Sequence, residues 1–191
     1  MKIIAWDVDD VLNNLMESWF EWYKMGKNLN LKYQNLKENP PYKILGISLD
    51  EYLISLDEFR LSNFYQEMQP REEVLKWFKT YGEKFRHIAI TSTPISTAST
   101  TSQWVFKHFG KWIRTFHFVP SSRKDITAPI YDQNKADFLK WLGKVDIFID
   151  DNEENINQAK ALGIFTILFP APWNSSKNTE KETLELIFDS K

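Results

Sequence analysis

The sequence predicts an α/β fold: a Rossmann-like parallel sheet with helices on both faces and a small helical cap inserted after the first strand. Three observations predict it. Short runs rich in branched and aromatic apolar residues recur as KIIAW (2–6), FRHIAI (85–90), VDIFI (145–149) and FTILF (165–169), with TFHFV (115–119) as a weaker fifth. Helical patterns separate most of these runs, and strands alternating with single helices build a parallel sheet covered on both sides. Between residues 17 and 75 the rhythm breaks, because helical spacing returns there without any intervening strand pattern.

The elements follow in order. KIIAW is a compact apolar run of strand length, and DVDDV follows it at once. Leu12, Leu15, Met16, Trp19, Phe20 and Tyr23 then repeat with helical period. A polar, Asn-rich stretch interrupted by Pro40 and Pro41 precedes a second helical pattern, SLDEYLISLDEFRLSNFYQEM. Residues 17–69 are therefore expected to form a helical cap, and residues 1–16 with 70–191 the core. Pro70 is expected to open the next core helix, EEVLKWFKTY. Gly82, Gly110, Gly143 and Gly163 each follow a helical pattern and are expected to supply the left-handed residue that ends a helix. The tail NSSKNTEKETLELIFDSK begins polar and turns amphipathic, as a surface helix does.

At 191 residues the chain suits one domain with an inserted module. The absence of cysteine removes disulfides, thiolate nucleophiles and zinc–sulfur sites together, and fits a reducing compartment. The N-terminus reads as a strand and not as a secretory signal, no segment approaches a membrane span, and a cytoplasmic location is expected. A net charge of −2 gives no footprint for tracking a long nucleic acid, while a small anion held in one crevice stays open. A homodimer is equally open. Aromatic residues make up 15% of the chain, including eight Trp, which means a bulky core or a stacking surface.

Chemistry concentrates at strand ends. In open parallel sheets ligands bind beyond the carboxyl ends of the strands, where strand order reverses. Asp7 and Asp9 follow the first run, Thr91 and Ser92 the second, and Asp150 and Asp151 the VDIFI run, with Lys135 opening the helix that leads into it. Four carboxylates converging from two neighbouring strands need a cation. Hard oxygen donors without a Cys or His pair favour Mg²⁺. His87, His108 and His117 share no ligand spacing and stay outside the chemistry.

Plainer readings exist for each feature. An ordinary strand-to-helix turn with a capping Asp accounts for Asp7 and Asp9 taken alone. Thr91 and Ser92 could begin a turn before Pro94, and Asp151 or Asn152 could cap the helix that follows. Trp19 and Phe20 fit the core of the cap, whereas Trp22 lies at the edge of the apolar stripe and Trp173 after the last strand, where either could face the crevice.

The ordered set DVDDV, ITS, a helix-opening Lys and IDDN, each at a strand end, resembles the four signature motifs of the haloacid dehalogenase superfamily. The second Asp of its first motif resembles the phosphatase branch. NFYQEMQP, ITSTPI, WVFKHFG, IDDNEENI and FPAPWN further resemble the 5'(3')-deoxyribonucleotidases. The resemblance implies Asp7 as nucleophile and Asp9 as acid and base, with Thr91 or Ser92 and a lysine on the phosphate. It implies Mg²⁺ held by Asp7, Asp9 (through its backbone carbonyl), Asp150 and Asp151. Lys135 is favoured over Lys124 in SSRKD because a helix N-terminus adds its own positive end.

The expected function is Mg²⁺-dependent hydrolysis of a phosphomonoester through a phospho-aspartate, the resemblance implying a nucleoside 5'- or 3'-monophosphate as the small phosphorylated partner. Alternatives are another small phosphate ester, a polynucleotide 3'-phosphate, a non-catalytic binding module on the same fold, or a DxD glycosyltransferase.

Overall fold

A computed structural model describes residues 1–121, 123 and 129–190; Lys124 lies outside them. The chain opens with β1 (Ile3–Asp7) and passes through α1 (Leu15–Tyr23), α2 (Tyr42–Leu45), α3 (Leu49–Leu61) and α4 (Asn63–Glu67). It then alternates: α5 (Glu72–Tyr81), β2 (Arg86–Thr93), α6 (Ile95–Phe109), β3 (Ile113–Pro120), α7 (Lys135–Leu142), β4 (Ile147–Asp150), α8 (Glu153–Ala161), β5 (Phe165–Leu168) and α9 (Glu180–Glu185).

The five strands form one parallel sheet in the order β3-β2-β1-β4-β5. Strands added after β1 go first to one side and then to the other, so the order reverses at β1. That reversal opens a crevice at its carboxyl end. The weak TFHFV pattern proves to be a full eight-residue strand, β3, paired to β2 from His87 to Thr93.

Alternation along the strands explains why both faces are covered. Ile4 and Trp6 of β1 face the larger apolar cluster with Trp77 and Phe78 of α5 and Trp104 and Phe109 of α6. Ala5 faces the other way, with Ile88 and Ile90 of β2, Phe148 of β4, Phe138 and Leu139 of α7 and Ala159 of α8. Each such large side chain contributes roughly 1.5–3 kcal/mol by leaving water. Among the described residues no strand lies between Asp7 and Arg86, and no helix is long and apolar enough to cross a membrane.

Two local expectations need correction. Gly143 and Gly163 are left-handed as expected (φ 64° and 79°), but Gly82 and Gly110 keep right-handed backbones (φ −57° and −61°). Gly82 answers a steric demand instead: a Cβ there would lie 2.7 Å from Cδ1 of Trp112. Pro70 does not open α5 either. It pairs with Asn13 in an isolated antiparallel bridge, and the helix begins after Arg71, whose N–H bonds to the Leu12 carbonyl at 3.0 Å.

Candidate active site

The DVDDVLNN segment folds into one wide turn at the end of β1, closed by the Asn13 N–H on the Val8 carbonyl (3.2 Å). Asp10 takes a left-handed backbone, φ 64°, which Asp tolerates better than most residues. Its Oδ1 accepts the Met16 N–H at 3.0 Å, so it satisfies an orphan donor in the first turn of α1. Asn13 Oδ1 accepts from Asp10 N (3.1 Å) and Leu15 N (3.0 Å), locking the turn from inside. Asp7 Oδ1 accepts its neighbour's N–H, from Val8, at 2.7 Å.

β4 delivers the second acidic group beside the first. Asp150 is fully buried; its Oδ1 accepts from Asn152 N (2.8 Å), and Nδ2 of Asn155 reaches both of its oxygens. Lys135, at the first turn of α7, places Nζ 2.7 Å from Asp7 Oδ1 and 2.8 Å from Asp150 Oδ2. One carboxylate oxygen from each of Asp7, Asp150 and Asp151 can be chosen so that all three lie within 4.8 Å of one another. Burial, then repulsion from Asp150, holds the Asp7 carboxyl well above the usual carboxylate range despite the pull of Lys135. Burial and Asp150 likewise push Asp151 up to about 8. Burial alone would lower the Lys135 value, but Asp150 and Asp7 outweigh it and the ammonium is held more firmly than usual.

The expected convergence of four carboxylates is thus a convergence of three. Asp9 turns its side chain to a different set of partners: Arg60 lies 2.8 Å from its Oδ2, Asn13 Nδ2 donates to Oδ1 at 3.3 Å, and Thr91 Oγ1 lies 3.4 Å from Oδ2. The guanidinium gives this carboxylate a better neighbour than three like charges would. Thr91 is fully buried and Ser92 exposed, yet both line the same cavity of about 350 Å³ as Asp7, Asp9, Lys135 and Asp151. Tyr52, Leu56 and Arg60 of α3 line it from the opposite side.

This topology recurs among solved structures. The chain aligns over 99% of its length with 99% of a candidate beta-phosphoglucomutase from Thermotoga maritima, at a TM-score of 0.59 and 18% identity. It aligns over 98% of its length with 96% of a HAD-superfamily hydrolase of subfamily IA from Geobacter sulfurreducens (TM-score 0.59, 16% identity). A candidate HAD-hydrolase from Bacillus subtilis, bound to magnesium, matches over 98% and 97% of the two chains (TM-score 0.57, 12% identity). The fold is that of the haloacid dehalogenase-like hydrolases. No protein-family model and no curated protein matches the sequence.

Within this HAD-like fold the acidic cluster suits a hard divalent cation. Its donors are all oxygens, the three carboxylates are buried, and among the described residues one ammonium, that of Lys135, touches Asp7 and Asp150. Burial first and repulsion from Asp150 second raise the values of Asp7 and Asp151, and a bound cation would offset both.

Three polar contacts to the site come from residues that sequence reasoning left aside. Arg60 sits on a helix with no recognisable motif. Asn155, one turn into α8, reads as a surface polar residue until its contact with Asp150 is known. Trp173 donates its indole N–H to Asp151 Oδ2 at 2.7 Å, and its place after the last strand was the one available signal. Asn152 caps α8 through Glu154 N and Asn155 N, one of the two roles open to the Asp151–Asn152 pair. Trp19 and Phe20 are core residues, and Trp22 packs half-buried against Phe59. None of the three histidines lines the cavity.

Proposed function

We propose that this chain is a Mg²⁺-dependent phosphomonoester hydrolase that works through a phospho-aspartate on Asp7. The observation that carries the reading is the Lys135 ammonium within 2.8 Å of both Asp7 and Asp150, at the strand-order reversal, in a cavity shared with Asp9 and Thr91. Residues 17–69 act as the cap that supplies the far wall.

The chemistry asks each residue for one thing. A phosphate monoester dianion repels an anionic nucleophile, so Lys135 must offset the charge of the transferring oxygens while the Thr91 hydroxyl, or that of Ser92, holds them in line. The Asp7 carboxylate forms a bond to phosphorus as the ester P–O bond breaks, and Asp9, which must enter this step protonated, hands its proton to the departing oxygen. Asp9 then takes a proton from water, whose oxygen attacks phosphorus, and the bond to Asp7 breaks to release inorganic phosphate. Mg²⁺ held by Asp7, Asp150, Asp151 and the Asp9 backbone carbonyl would supply further charge neutralisation on the phosphoryl oxygens.

Nucleoside 5'- or 3'-monophosphates are the proposed substrates. The nucleotidase-like patches NFYQEMQP, ITSTPI and FPAPWN support this, and a cavity of about 350 Å³ is of small-molecule size. Phosphate release from a panel of nucleotides, sugar phosphates and a 3'-phosphorylated oligonucleotide, with Mg²⁺ and with Asp7→Asn as control, tests the reading. Nucleotides turned over by the wild type alone are expected. Turnover confined to another class replaces the substrate, and equal background rates for both proteins leave only a binding module.

A further inference from the structure

The loop after β5 grips Asp151 at two points. Trp173 Nε1 donates to Oδ2 of its carboxylate at 2.7 Å, and Asn174 Nδ2 donates to its backbone carbonyl at 2.8 Å and to that of Phe169 at 2.7 Å. Asn174 Oδ1 in turn accepts from Ser176 N at 3.1 Å, which fixes the loop that carries the indole. Tyr33 packs edge-on against the Trp173 ring, with centroids 6.2 Å apart at 85°. An indole N–H donates one bond and accepts none, so it pins one oxygen of Asp151 in a single orientation. Among the described residues no hydrogen bond reaches the other oxygen, Oδ1. Asp7 is arranged alike, with Oδ1 holding both the Val8 N–H and Lys135 and no hydrogen bond to Oδ2 among the described residues.

We infer that Trp173 is a positioning residue that restricts Asp151 to single-oxygen ligation and thereby favours Mg²⁺ over Ca²⁺. The inference rests on the divalent-cation site proposed above. The physical reason is coordination chemistry. Mg²⁺ requires near-ideal octahedral geometry at short distances and keeps several waters, so one oxygen per carboxylate serves it well. Ca²⁺ takes more ligands at longer distances and gains from bidentate carboxylates. A carboxylate with one oxygen tied to an indole must break that bond, or share that oxygen, to offer both. Partners that orient ligating carboxylates typically change metal affinity by about 10–100-fold when removed.

Calorimetric titration of the whole chain with MgCl₂ and separately with CaCl₂, without substrate, tests the inference. Trp173→Phe is expected to weaken Mg²⁺ binding about tenfold while weakening Ca²⁺ less, so that the ratio of the two affinities narrows. Trp173→Gln and Trp173→Met shorten the side chain equally and differ in the N–H; the glutamine variant is expected to keep more of the Mg²⁺ preference. An unchanged affinity ratio in Trp173→Phe, or identical behaviour of the glutamine and methionine variants, overturns the inference. Wild-type chain that binds no Mg²⁺ overturns it together with the metal site. Wild-type chain that binds Mg²⁺ with the expected Trp173 dependence but releases no phosphate from any ester supports the inference and removes the hydrolase reading alone.

Discussion

Arg60 reaches across 51 residues of sequence to place its guanidinium 2.8 Å from Asp9 Oδ2. The same side chain lies 3.5 Å from Asp57 Oδ1, and Asp57 is held by Arg123 at 2.6 Å, so charges alternate from the far wall of the cavity back to β1's turn. Arg60 is 4% exposed, which makes its contact with Asp9 a buried one that solvent cannot replace. Its removal frees the Asp9 carboxylate to rotate. A misplacement of about 1 Å in a reacting group can cost on the order of 100-fold in rate. Arg60→Gln is expected to lower kcat for phosphate release by about 10–100-fold with a smaller change in KM. A KM-only effect in steady-state kinetics would show that Arg60 serves substrate binding and does not position Asp9.

Crowding of Asp7, Asp150 and Asp151 should make the metal-free protein less stable than it could be. Asp151 is 5% exposed and faces Asp150 and Asp10, with the Trp173 N–H as its one side-chain hydrogen-bond donor among the described residues. Asp151→Asn keeps the shape and removes the charge. In EDTA at pH 8 it is expected to raise Tm by about 2–4 °C, the shift that ~1 kcal/mol produces in a domain of this size. The same variant should lose the stabilisation that Mg²⁺ gives the wild type, about 2.7 kcal/mol at 100 times Kd. Thermal melts with and without Mg²⁺ read both effects. A variant less stable than wild type in EDTA would mean that Asp151 contributes more by its hydrogen bonds than it costs by repulsion.

Gly82 offers a purely steric test. A Cβ there would lie 2.7 Å from Cδ1 and 2.9 Å from Nε1 of Trp112, and Phe78 stands 3.2 Å away. Its backbone is right-handed, so strain at a positive φ plays no part. Gly82→Ala is expected to cost about 1–3 kcal/mol, the usual range for overpacking. Combining it with Trp112→Leu should recover most of that loss in urea denaturation. Equal losses in the single and double variants would mean that the indole is not what excludes the methyl group.

The positions of Asp7, Thr91 and Asp150 are legible in the sequence because strand ends are marked by where an apolar run stops, and the sheet then brings those ends together; Lys135 is legible as the opening residue of a helical pattern. β3 is faintly legible for a related reason: His117 interrupts TFHFV, and only pairing with β2 decides that it is a strand. Arg60 is not legible, and Trp173 only through its place after the last strand. Their contacts depend on how α3 and the loop after β5 lie over the sheet, and neither carries a periodic or spaced pattern that encodes this. The glycines divide the same way. Gly143 and Gly163 follow a local backbone rule, whereas Gly82 answers to Trp112, thirty residues further on, which no local rule reveals.

His87 ties stability to pH through a tautomer fixed on both sides. Trp6 Nε1 donates to His87 Nδ1 at 3.0 Å, so Nδ1 must accept, and Nε2 faces the Gly82 carbonyl at 2.7 Å, so Nε2 carries the proton. A second proton would set Nδ1–H against the indole N–H inside an aromatic cluster where the imidazole is 2% exposed. Burial accordingly holds its pKa down to about 4, against an ordinary 6.5. The folded value lies below the unfolded one, so between them the unfolded chain binds a proton that the native state refuses. The contribution is fully present above pH 6.5, declines as pH falls from there toward 4, and declines no further below that. Between pH 7.5 and pH 5 the loss should be ~2 kcal/mol. His87→Gln can still accept from Trp6 and donate to Gly82 without titrating, so its stability in urea should fall less over that interval by about the same amount. Other titrating groups act alike on both proteins, which leaves the difference in slope to His87 alone, and parallel pH profiles would show that the imidazole is protonated in the native state after all.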